Sequence, residues 1–254
     1  MHVRNILYAT NLGERFLSAA FLPQLAVFKS VGLERIVFLQ TTPFEDWIAC
    51  LAPHGIATRF VTTPRLRADR ILQLTAETEA SLIAVDLASS TPNRLRGFIR
   101  KLTAQATVPV LVVNSQARLR KVYDRKLFAN VVLATDWSHK SEKALGYLLS
   151  LKTILGQLDI IHIITRQLTI GDLRRLKKTL EVTRRIFLQE RIDAESHVYA
   201  GKVVEEILTA ARDYKATLIV MSGRYEKDTL AEKFKKNPSR RVARQAKLPV
   251  LLVP

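Results

Sequence analysis

One order of short apolar segments runs along this chain twice. The first pass opens on 5–10 (NILYAT) and closes on 109–113 (PVLVV); the second opens on 130–135 (NVVLAT) and closes on 249–253 (PVLLV). The two starts lie 125 residues apart and the two ends 140 apart. Segments this short, apolar and β-branched read as strands buried on both faces, which calls for helices on either side of a parallel sheet. A repeat of that size duplicates a whole domain, and 254 residues suit two domains of ordinary length.

The intervening residues fit the same plan. In the first copy, Leu17, Phe21, Leu25 and Phe28 share one face of a helix over 14–30, which Pro23 must kink or divide. Strands are predicted at 35–40, 57–62 and 81–86, helices at 66–79 and 94–106, and an ill-defined stretch at 44–51. In the second copy the helices fall at 138–155, 173–191, 203–214 and 230–246, the last interrupted near Pro238. Thr169 and Asp172 have the spacing of a capping box for the second of these. Strands complete the pattern at 158–164, 194–199 and 217–221. The fold class is therefore α/β, with two tandem doubly wound, mostly parallel five-stranded sheets: residues 1–113, a polar basic linker at 114–127, and residues 128–254.

Charge narrows the partners more than the fold. Of the net +17, +4 falls in 1–113, +4 in the linker and +9 in 128–254. Such an excess favours contact with polyanions, either nucleic acid or an anionic membrane, through the basic second half. Arg174, Arg175, Lys177, Lys178, Arg184 and Arg185 lie opposite an apolar face of Leu173, Leu176, Leu180 and Phe187 on one predicted helix. A plain amphipathic helix with a solvated basic side explains the same pattern. No apolar run of about 18 residues suggests a membrane span, and no signal peptide is evident, so a soluble cytoplasmic protein is expected. A single cysteine, Cys50, rules out an internal disulfide framework.

The ordered set of segments in the second copy resembles the universal stress protein (UspA-like) family. The similarity runs through Ala134-Thr135-Asp136-Trp137-Ser138, the helix carrying Ser141 to Leu145, His162 near the end of the second strand, Gly201 to Leu208, Ala216 to Met221 and Leu248 to Val253. The first copy is similar more faintly, through 5–10, 80–86 and 108–113. The resemblance implies the adenine nucleotide alpha hydrolase-like fold. It also implies that the two last strands, Pro109–Val113 and Pro249–Val253, pair within the chain as a pseudo-dimer, while whole chains can associate again as a homodimer. Pairing has a physical motive as well, because an exposed apolar edge strand invites aggregation.

Family members that bind ATP carry Gly-x2-Gly-x9-Gly-(Ser/Thr) after the fourth strand, where glycines let backbone N–H groups approach phosphates. That spacing falls here on Gly223, Glu226, Lys236 and Asn237, so only the first glycine remains. The first copy has no room for the motif between Leu87 and Gly97, and Asn11 or Glu14 must stand in for the acidic residue after its first strand. No cofactor is expected, with ATP or AMP an alternative in the second copy alone. Its remnant site is Asp136, Gly223, Arg224, Asn237 and Ser239. Arg224, Lys227, Lys236, Arg240 and Arg241 around the loop make either an anion pocket or a solvated basic surface. The histidines at 2, 54, 139, 162 and 197 show no metal-ligand spacing, and Walker A, GxGxxG, GxSxG and HExxH are all missing. The expectation is a stress-response regulatory or binding protein, not an enzyme; the alternatives are an adenine nucleotide or other phosphorylated ligand, and a polyanion.

Overall fold

A computed structural model describes residues 3–10, 21–40, 46–86, 92–113, 125–223 and 237–254. Ten strands form one sheet in the order β3-β2-β1-β4-β5-β10-β9-β6-β7-β8. The first copy supplies β1 (Asn5–Thr10), β2 (Arg35–Gln40), β3 (Ala57–Thr62), β4 (Leu82–Asp86) and β5 (Val110–Val113). The second supplies β6 (Asn130–Ala134), β7 (Gln157–Ile164), β8 (Asp193–Ala200), β9 (Leu218–Ser222) and β10 (Val250–Val253). Within each copy every pairing is parallel. The copies meet where β10 pairs antiparallel with β5, Leu251 opposite Leu111 and Val250 opposite Val112.

Side chains alternate across this sheet and load both faces. One layer takes Tyr8, Phe28, Leu111, Phe128, Val131 and Leu251; the other takes Leu7, Ile71, Val110, Val132, Ile207 and Val250. Each layer therefore runs unbroken through both copies. Phe28, in the 3-10 turn Ala26–Val31, meets Phe128 edge-on with ring centroids 5.4 Å apart. Beside it, the Gln24 side-chain oxygen accepts the Leu127 N–H at 3.0 Å.

Helix starts follow their capping residues. Thr169 and Asp172 form the reciprocal capping box ahead of the helix Ile170–Gln189. Hydrogen bonds from Arg175 and Thr169 hold the Asp172 carboxyl down at about 2. The buried stripe of this helix is Leu176, Leu180, Thr183 and Phe187. Leu173, expected on that stripe, is 47% exposed. Thr183 is buried further along the stripe, its hydroxyl satisfied by the Thr179 carbonyl at 2.9 Å. The ill-defined stretch at 44–51 contains a short helix, Asp46–Leu51. Residues 11–20, 114–124 and 224–236, which carry the start of the expected first helix, most of the linker and the start of the last helix, lie outside the described residues.

Gly156 marks the tightest turn into β7. A Cβ there would stand 2.5 Å from the Ala129 carbonyl oxygen, a backbone atom that itself accepts the Gln157 N–H. Gly156→Ala should thus lower stability by about 1–3 kcal/mol through forced backbone displacement. A urea midpoint equal to that of the native chain would show that the turn moves aside freely.

Candidate functional site

The strand order reverses around β6, which lies between β7 and β9. Ligands of open α/β sheets bind beyond the carboxyl ends of strands at such a switch point. Ala134 of β6 pairs with Met221 of β9, so Asp136 and Gly223, each two residues further on, emerge side by side at this rim. These two sequence-derived site residues are brought together.

The Asp136 loop is wound by consecutive side-chain-to-backbone bonds. Thr135 Oγ1 accepts the Trp137 N–H at 3.1 Å, and Asp136 Oδ1 accepts the Ser138 N–H at 3.1 Å. Ser138 then caps the helix His139–Ser150. Burial alone would raise the Asp136 carboxyl, but hydrogen bonds from Ser138 and Ser141 outweigh it and hold the group below its ordinary value. An ionised, exposed carboxylate therefore stands at the rim.

Sequence reasoning passed over Trp137. Its backbone is left-handed, at φ 60. This bend lays the indole nearly parallel to the His162 ring, with centroids 6.2 Å apart. The imidazole is fixed in turn by a 3.0 Å bond between its Nδ1 and the Thr135 carbonyl. The indole Nε1 is buried with no hydrogen-bond partner among the described residues. A tryptophan directly after the rim aspartate was the available signal.

The other residues expected at the site, Gly223, Asn237 and Ser239, are held by different contacts. Gly223 is buried, and its N–H donates to the Val253 carbonyl at 2.6 Å. A Cβ would come 3.3 Å from Leu252 Cβ, so glycine serves close packing on β10. Asn237 caps the helix Pro238–Gln245: its Oδ1 accepts the Arg240 N–H at 3.3 Å and the Ser239 hydroxyl at 2.6 Å. Asn237 and Ser239 are thus joined to each other at the helix start. Arg240 donates from Nε to Thr103 Oγ1 of the first copy at 3.1 Å. Burial, with repulsion from Arg100, pulls its guanidinium below the ordinary value. Arg224, Lys227 and Lys236 lie outside the described residues, as do Asn11 and Glu14. On the helix Ile170–Gln189 the six basic side chains are exposed, and Arg184 is tied by a 2.8 Å bond to the Ala194 carbonyl.

Two doubly wound units, joined edge to edge with a rim at the switch point of the second, define a tandem protein of the adenine nucleotide alpha hydrolase-like class. The family model for universal stress proteins matches residues 128–254. The chain belongs to the universal stress protein family. A universal stress protein from Archaeoglobus fulgidus DSM 4304 superposes with a TM-score of 0.72 at 21% identity, covering 99% of this chain and 96% of that one. A functionally unknown protein from Pseudomonas aeruginosa PAO1 gives 0.65 at 16% identity, covering 99% of this chain and 92% of that one. These likenesses establish the fold across both copies. No curated protein matches the chain. Among the described residues, no helix is long and apolar enough to cross a membrane.

Proposed function

We propose that this protein is a non-catalytic, stress-linked regulatory module whose two copies act as one binding body without ordinary ATP binding. The start of the helix Pro238–Gln245 carries this reading. A phosphate at a helix N-terminus needs the free amides of the first turn. Here Pro238 has no N–H, and the Arg240 N–H is taken by Asn237. Two of the first three amides are therefore lost to a ligand. The Asn237–Ser239 side-chain bond closes the same end.

Thermal denaturation with ATP, ADP and AMP, each at millimolar concentration, tests this. A ligand with a dissociation constant above 1 mM adds less than about 0.4 kcal/mol at 1 mM, so the midpoint should hold still. A rise of several degrees would overturn the reading. It would favour an adenine nucleotide or other phosphorylated ligand in the second copy, for which one observation speaks. The Trp137–His162 pair, with ring planes 26° apart, lies next to the exposed Asp136 carboxylate. That combination suits a planar base and its sugar hydroxyls.

A further inference from the structure

We propose that Asp159, Glu195 and His197 form a binding site for a divalent transition-metal ion of the zinc type. The three come from neighbouring strands: Asp159 of β7 stands opposite Glu195 of β8, and His197 follows two residues along the same face. Each offers one ligand atom, and these atoms lie within 4.8 Å of one another. The His197 Nε2 is 3.0 Å from Asp159 Oδ1 and 3.6 Å from Glu195 Oε2. Zinc bonds to nitrogen and carboxylate oxygen set neighbouring corners of a tetrahedron roughly 3.3–3.6 Å apart. Two of the three separations lie near that spacing and the third is within 4.8 Å, so side-chain movement would close the site.

A second observation separates the cluster from an ordinary surface ion pair. Asp159 is wholly buried, and its Oδ2 has no hydrogen-bond partner among the described residues. A buried carboxylate with an idle oxygen is costly unless a cation or donor joins it. The acidic grouping occurs in a chain of net charge +17, where carboxylates are the scarcer charge. A cation would relieve these strains together.

The surroundings suit a metal in other ways. The His197 ring is held by stacking on Tyr214, with centroids 4.3 Å apart. A fixed imidazole loses less freedom on coordination. The Glu195 side chain is 57% exposed and that of His197 21% exposed, which gives an ion a way in and leaves its fourth position open to water. One imidazole with two carboxylates selects borderline ions such as zinc over soft copper(I), which prefers sulfur, or calcium, which prefers oxygen alone. A bound ion would clip the edge strand β8 to β7. The cluster sits on the outer two strands, apart from the β6–β9 rim, and stands independently of the nucleotide question.

The test is equilibrium dialysis of the full-length, chelator-treated protein against zinc, with metal content measured by atomic emission. One ion per chain should be retained and the thermal midpoint should rise. Glu195→Gln changes an exposed side chain and should weaken zinc by at least about tenfold, with the metal-free midpoint unmoved. His197→Gln should abolish retention, while His139→Gln, far along the chain, should leave it intact. Cobalt(II) should show visible d–d absorption that Glu195→Gln reduces. No retained zinc, or retention indifferent to both Glu195→Gln and His197→Gln, would overturn the proposal.

Discussion

Leu251→Ala should lower the unfolding free energy by about 2–5 kcal/mol, the range for removing a buried leucine and leaving a cavity. Leu251 and Leu111 are each 1% exposed and face each other across the antiparallel junction of the copies. Their neighbours Val110, Val112, Val250 and Leu252 fill the opposite layer, so no rearrangement of one strand escapes the other. The measurement is urea unfolding followed by far-ultraviolet circular dichroism. Leu111→Ala should cost a similar amount. The double variant should depart from additivity by about 0.5–3 kcal/mol, because the two side chains share one site. A loss under about 1 kcal/mol, with full additivity, would mean that the junction carries little of the fold's stability.

Phe128→Ala is expected to cost about 3–5 kcal/mol, with Phe128→Leu costing much less. Phe128 is 1% exposed and meets Phe28 of the other copy at an interplanar angle of 89°. Edge-to-face contact of this kind adds about 0.5–1.5 kcal/mol beyond area burial. The pair joins the two copies within one of the two layers. Calorimetry of the native chain should show one cooperative transition, and Phe128→Ala should lower its midpoint without dividing it. Two resolved transitions in the native chain would contradict the continuous core.

The repeat and its strands were legible because fully buried parallel strands are written as short apolar runs, which few other structures require. NILYAT and NVVLAT became β1 and β6 almost residue for residue. The inward face of the helix Ile170–Gln189 was read less well. Apolar spacing chose Leu173, which is 47% exposed, and passed over Thr183, which is buried with its hydroxyl satisfied within its own helix. At the rim, Asp136 and Gly223 were legible because each follows a strand end. The Trp137–His162 stack was not, since it depends on a left-handed turn that no side-chain pattern announces. The Arg240 bond to Thr103 was not legible for a related reason: the two residues are 137 apart. The Asp159–His197 contact, 38 residues apart, likewise exists only once the register of β7 on β8 is set.

The β5–β10 junction lies within one polypeptide, and this has a consequence for inheritance as well as for energy. Two separate subunits joined this way would fall apart on dilution, and any substitution at their contact would be made twice. Here the partner is always tethered, so the joint persists at any protein concentration. Each substitution also falls on one side only. Arg240 bonds Thr103 of the neighbouring unit, while Arg100, its counterpart 140 residues earlier, stands beside it as a like charge. Fusion lets the two sides of the junction differ in sequence.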